Sequence, residues 1–141
     1  MAGKAVSDIF CSILRVDRLS VYLASTARGA LRVGLGLDRS ERPAAFFERV
    51  YPHARLAEAE GANRSLAEAV ESALANRSVP ETLRMDVSLT AFQEAVLKAI
   101  STIPFGETQT YGAVASRVGN PRGARAVGQV MGWNPLPLIF P

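Results

Sequence analysis

Cysteine and histidine are almost missing from this 141-residue chain: Cys11 and His53 each stand alone. A single cysteine excludes an internal disulfide framework, and with one histidine it excludes a Cys/His zinc cluster. It fits a reducing compartment. Lysine is scarce as well; the 16 basic residues are arginines apart from Lys4 and Lys98, a bias that carries no functional weight. No apolar run approaches the ~20 residues that a membrane span needs. Asp8 interrupts the one apolar stretch near the N-terminus, and no small-residue cleavage site follows, so no signal peptide is expected. Gly3 does not directly follow Met1, so the myristoylation pattern is absent. The expectation is a cytoplasmic protein, nucleoid-associated or nuclear depending on its source, with no membrane partner, cofactor or metal.

What is present is ordinary globular composition. Hydrophobic residues make up 48% and charged residues 21% of the chain, enough for one domain or two small ones. A net charge of +3 permits nucleic-acid binding without demanding it. Phe10 to Val16, Ser20 to Thr26 and Ala30 to Leu37 are short apolar runs separated by Asp17-Arg18 and Arg28-Gly29, which predicts an antiparallel meander. Ser40 to Val50 reads as a helix capped by Ser40, with Phe46, Phe47 and Val50 on one face, ended by Tyr51-Pro52. Ser65 to Leu74 is a second helix, with Leu66, Ala69, Val70 and Ala73 at helical spacing. Asn76 to Pro80 is polar and contains proline, the best candidate for a linker.

Thr90 to Ile103 is the cleanest helix, with Thr90 and Gln93 forming a capping box and Phe92, Val96, Ala99, Ile100 and Ile103 as its buried stripe. Pro104-Phe105-Gly106 breaks it. Thr110 to Val118 and Pro121 to Gly132 follow as helices around a tight turn at Gly119-Asn120, the second with Asn120 at the N-cap and Pro121 in its first position. Two short helices around a glycine turn are either a helix-turn-helix or two packed core helices. On the second, Ala126, Val127, Val130 and Met131 cluster on one side, which is core. The opposite side carries Ala124, Arg125, Gly128 and Gln129. A mid-helix glycine weakens a helix by ~1 kcal/mol and asks for a reason. Close packing against another helix is one reason. The other is a nucleic-acid groove: the minor groove is ~6 Å wide, so a helix enters it only if slim.

These residues also carry a resemblance. Ile103-Pro104-Phe105-Gly106-Glu107-Thr108 followed by Thr110-Tyr111-Gly112 resembles a signature of the O6-alkylguanine-DNA alkyltransferases. Gly119-Asn120-Pro121, Ala124-Arg125-Ala126-Val127-Gly128 and Asn134-Pro135-Leu136-Pro137-Leu138-Ile139 resemble its continuation, and Thr90-Ala91-Phe92-Gln93 resembles the start of the family's C-terminal domain. The match runs in order over about 50 residues. The resemblance implies an α/β (α+β) fold: a ribonuclease-H-like domain, a small antiparallel sheet with helices, over residues 1–84, then an incomplete winged-helix-like helix-turn-helix domain over residues 85–141.

The resemblance also implies roles. Arg125 is similar to the arginine finger that fills the gap when a damaged guanine is flipped out of double-stranded DNA; flipping costs a few kcal/mol of unstacking, which an inserted side chain partly recovers. Tyr111 resembles the residue that crowds the nucleotide's phosphate and donates a proton to the departing guanine. Taken by itself, Tyr111 reads first as a helix-start aromatic packing on Phe105; within the full motif that order reverses. Gly112, Gly123, Ala124 and Gly128 complete the implied DNA-binding set, with Gly123, Ala124 and Gly128 as the small face in the minor groove. Asn134 resembles the hinge leading to the active-site loop. The implied partner is double-stranded DNA bearing O6-alkylguanine, bound by a monomer.

In the family the Asn-Pro-x-Pro segment runs into Pro-Cys-His-Arg, whose cysteine accepts the alkyl group as a thiolate helped by that histidine and a later glutamate. The match here ends at Pro141, so the chain is read as cut before the acceptor cysteine and inactive as given. Cys11, in the first predicted strand, reads as a small buried hydrophobe. His53 reads as surface filler in a loop. A chain ending at the apolar Leu136–Pro141 stretch is expected to leave core exposed around Val127, Val130 and Met131. Four readings stay open: an alkyltransferase by descent, a non-catalytic lesion sensor, a transcription-regulatory module and a decayed product.

Overall fold

A computed structural model describes residues 8–37, 40–104 and 106–140. The chain divides into two compact units, Met1–Val87 and Ser88–Pro141. Phe105 and Pro141, both part of the motif, and the N-terminal targeting positions lie outside the described residues.

The first unit is built on a four-stranded sheet in the order β3-β2-β1-β4. Strands β1 (Asp8–Val16), β2 (Leu19–Thr26) and β3 (Gly29–Gly36) form the expected antiparallel meander. The sheet is nonetheless mixed, because β4 (Arg55–Glu58) pairs parallel with β1, Ile9 opposite Leu56. The meander is as expected, and β4 is an addition that the sequence did not announce. The reason is local: β4 is a short edge strand of Arg-Leu-Ala-Glu, mostly exposed, with no alternation to betray it.

Helix α1 (Pro43–Val50) covers one face of the sheet. It starts three residues later than Ser40, because Pro43 takes the first helical position and holds Arg42 extended. Phe46 stacks on Tyr22 with ring centroids 4.2 Å apart and planes 4° from parallel. That stack needs Gly34, where a Cβ would meet Phe46 Cζ at 2.2 Å. Phe47, Tyr22, Ala24, Cys11 and Ile9 complete this core. Val21 and Leu23 point to the other face by strand alternation; they are buried, as are Leu66, Ala69 and Val70 of α2 (Arg64–Leu74). The buried Asn63 donates through Nδ2 to the carbonyl of Phe10 at 3.0 Å.

The first two residues of the linker expected at 76–80 close α2 instead. Asn76 has φ 55°, its N–H donates to Ala73 and that of Arg77 to Ser72, the two bonds of a Schellman cap. The chain then returns to the sheet: Ala30 N–H donates to Arg84 O at 2.8 Å and Asp86 N–H to Ala30 O at 2.7 Å. Thr26 Oγ1 donates to the Asp86 carboxylate at 2.6 Å. These bonds carry the boundary past residue 84, where the sequence reading put it, to Val87.

The second unit is three helices around one core. α3 (Ala91–Ser101) has the expected capping box, with Gln93 N–H donating to Thr90 Oγ1 and Thr90 N–H to Gln93 Oε1, an arrangement that contributes ~1 kcal/mol. Val96, Leu97 and Ile100 pack on Val114 and Ala115 of α4 (Tyr111–Arg117) and on Val127 and Val130 of α5 (Ala124–Trp133).

Candidate nucleic-acid interface

Tyr111 is the first residue of α4 and is placed by its neighbour. Thr110 caps the helix, its Oγ1 accepting from Ala113 N–H at 3.0 Å. Arg117, at the far end of α4, reaches back to brace the same region. Its Nη1 donates to Ala99 O at 3.2 Å and to Gln109 Oε1 at 2.9 Å, and its Nη2 to Thr102 Oγ1 at 2.6 Å. One guanidinium thus satisfies a carbonyl in the last turn of α3 and holds the residue two before Tyr111. Nothing in the sequence marks Arg117; only the fold brings its three acceptors together.

The turn between α4 and α5 is closed by backbone bonds. Gly119 adopts φ +81°, with its N–H on Ser116 O and Asn120 N–H on Ala115 O, a second Schellman cap that favours glycine at this position. Asn120 O then accepts from Gly123 N–H at 2.9 Å, a tight turn around Pro121 and Arg122. Helix α5 therefore begins at Ala124 with Gly123 as N-cap, not at Pro121 capped by Asn120. Proline's fixed φ serves the turn here rather than the first helical turn. Gly123 is also not part of an open small face. It is buried, and a Cβ there would sit 2.7 Å from Asn120 Nδ2, so its missing side chain makes room for Asn120.

Gly128 has a different neighbour. A Cβ built on it would lie 3.1 Å from Tyr111 Cε2 and 3.3 Å from Cδ2, so the phenol ring rests over the glycine. Tyr111 remains 53% exposed. Arg125 lies one helical turn before Gly128 on the same side of α5, is exposed, and makes no hydrogen bond or ion pair among the described residues. Gly112 and Ala124 are half-buried beside them. From residue 108 onward the chain contains Arg117, Arg122 and Arg125 and no acidic residue.

Asn134 ends α5 and folds the segment after it. Its Oδ1 accepts from Leu136 N–H at 3.0 Å and its Nδ2 donates to Phe140 O at 2.6 Å. Leu136 and Ile139 are buried within this loop. Val127 and Val130 are 0% and 5% exposed, so the expected exposure of core around them is not found; Met131 is half-buried.

Cys11 belongs to the first unit. It is fully buried, its thiol donating to Ala57 O at 3.5 Å. Burial, and then the nearby Glu58 carboxylate, push its pKa above the ordinary thiol value, which keeps it from the reactive thiolate form. A cavity of about 430 Å³ borders it, lined also by Arg42 and Glu58, which already pair with each other. Among the described residues no group of three or more His, Cys, Asp or Glu could hold a metal ion, and no helix is long and apolar enough to cross a membrane.

Comparison with known proteins meets the same residues. Positions 91–141 match the family described as 6-O-methylguanine DNA methyltransferase, DNA binding domain. The methylated-DNA–protein-cysteine methyltransferase of Mycobacterium tuberculosis (strain ATCC 25618 / H37Rv) is 48% identical over 59 residues, 42% of this chain and 36% of that protein. The bifunctional transcriptional activator/DNA repair enzyme Ada of Escherichia coli (strain K12) is 34% identical over 119 residues, 84% of this chain and 33% of that protein. This chain spans about a third of the length of these two relatives. Among solved structures, M. tuberculosis OGT in complex with DNA superimposes with a TM-score of 0.67 at 27% identity, covering 94% of this chain and 75% of that one. The fold is therefore the mixed α/β fold of the M. tuberculosis protein, and residues 91–141 carry the DNA-binding domain of the 6-O-methylguanine DNA methyltransferase family.

Proposed function

We propose that the second unit binds double-stranded DNA along α5 and recognises O6-alkylguanine by flipping the damaged nucleotide, acting in DNA repair as a monomer. The observation that carries this is the seating of Tyr111 over Gly128, one turn from the exposed Arg125, on a stretch with arginines and no acid. In this reading Arg125 enters the stack where the base leaves and recovers part of the unstacking cost. Tyr111 offers a half-exposed phenol O–H beside it, a group able to crowd a phosphate and to donate a proton to departing guanine. Gly112, Ala124 and Gly128 keep the approach slim, Gly123 sets the turn, and Asn134 shapes the loop that follows. Phosphate attraction supplies much of the affinity, so binding weakens steeply with salt.

Cys11 is the one thiol in these 141 residues, and it is buried in the other unit with a raised pKa. Within these residues, then, lesion binding is not followed by alkyl transfer. The test is anisotropy of a labelled duplex, with and without a central O6-methylguanine, alongside a transfer assay with a radiolabelled methyl group. The expected result is tighter binding of the damaged duplex and no label on this chain. Arg125→Ala should lower affinity for the damaged duplex about tenfold, and Arg122→Ala only about twofold. Equal losses would reduce Arg125 to general charge, and absence of duplex binding would remove the proposal.

A further inference from the structure

The last residue of α5 has no role in the reading above, on which this inference rests. Trp133 is 41% exposed and, among the described residues, its indole has neither a ring partner nor a hydrogen-bond partner. Buried or docked tryptophans ordinarily satisfy the N–H and cover both ring faces. The exposed residues of α5 are Arg125, Gln129, Gly132 and Trp133. At ~100° per residue they fall within an arc of roughly 100°, and Trp133 stands ~12 Å along the axis from Arg125. That length is about three to four base steps at ~3.4 Å each, so one duplex can touch both. The preceding Gly132 is exposed too, and a Cβ there would meet nothing within 4 Å outside its chain neighbours and its own helix backbone. The charge of this stretch, arginines without acids from residue 108 onward, favours a polyanion over an acid-poor protein surface.

We infer that Trp133 is a second nucleic-acid contact of α5, its indole lying against the sugar and base edges of the duplex several steps from the nucleotide that Arg125 addresses. Aromatic surfaces of this kind contribute to affinity with little sequence preference, because every nucleotide offers a flat apolar face.

Trp133 is the sole tryptophan of the chain, so its emission reports this position alone. The experiment titrates a duplex containing O6-methylguanine into the 141-residue chain, following binding by the duplex label's anisotropy and the environment of Trp133 by emission and acrylamide quenching. The expected result is that emission changes along the same isotherm as anisotropy and that acrylamide accessibility falls at least about twofold in the complex. Trp133→Ala should weaken binding roughly tenfold and Trp133→Phe by less than about threefold. Binding with Trp133 emission and accessibility unchanged overturns the inference while leaving the DNA-binding reading standing. Emission that changes with protein concentration rather than with duplex also overturns it, since that assigns the indole to a second copy of the chain. No anisotropy change at any duplex concentration removes the functional reading itself.

Discussion

Replacing Gly128 by alanine separates stability from function in this fold. The change adds a methyl group facing the Tyr111 ring, whose nearest atoms would stand at 3.1 and 3.3 Å. Ordinary contact begins at 3.4 Å, so the ring must recede by a few tenths of an ångström. It is the exposed side chain of a helix-start residue, 53% accessible, so it can give. Against that small cost stands a gain of ~1 kcal/mol in helix propensity, because alanine loses less backbone freedom than glycine on entering a helix. Thermal unfolding should therefore show a Tm unchanged or raised by up to about 5 °C. Duplex affinity should fall by about three- to tenfold, since the phenol is displaced and α5 is broader where it must enter a groove. In a Tyr111→Ala background the same glycine change should cost less affinity, only the part due to the broader helix, which a double-mutant cycle measures directly. A Tm loss of more than ~5 °C would mean the ring cannot move aside. An unchanged affinity would mean that the position of Tyr111 over Gly128 has no bearing on binding.

Other outcomes follow from contacts already described. Arg117→Ala removes three hydrogen bonds to Ala99, Thr102 and Gln109 and should destabilise the second unit by about 1–2 kcal/mol, read as an earlier thermal transition; a loss no larger than that of Arg122→Ala refutes the brace. Glu58 has its pKa held below the ordinary carboxylate value, first by its hydrogen bond to Arg42. Its stabilising effect is thus present above the unfolded value of ~4.3 and lost as pH falls through the lower folded value. The Tm difference between the wild-type chain and Glu58→Gln should accordingly shrink between pH 7 and pH 3, and a difference that grows on acidification contradicts the assignment. Cys11, buried and poorly ionised, should resist iodoacetamide at pH 7.5 in the native state and react once the chain is unfolded in urea; rapid native labelling would show that the thiol is reachable.

Much of the architecture was readable before any coordinates. Apolar runs between turn residues marked β1 to β3, helical spacing marked α2 and α3, and the Thr90–Gln93 capping box fell where expected because short polar side chains before an apolar period have few other uses. What was not readable depended on distant partners or on a residue with two equally good uses. β4 is four mostly exposed residues whose only reason to be a strand is the edge of β1. Pro121 suits a helix start and a turn alike, and the Asn120–Gly123 bond chose the turn. Arg84 to Asp86 carry no strand pattern, yet bond to Ala30. The motif residues Tyr111, Arg125 and Gly128 were all legible as candidates. That Gly128 is small for Tyr111, and Gly123 for Asn120, required the packing.

The backbone closure between α4 and α5 has a thermodynamic consequence. Gly119, Asn120 and Gly123 are each bonded to a carbonyl of α4 or of the turn itself, so no segment between Tyr111 and Arg125 is left to be ordered by a ligand. The conformational entropy of setting that distance is lost when the unit folds, not when it meets DNA. Association should then carry the small, negative heat-capacity change of surface burial rather than the large one of coupled folding. Substitutions in the turn should appear as altered folding equilibria before they appear as altered affinity.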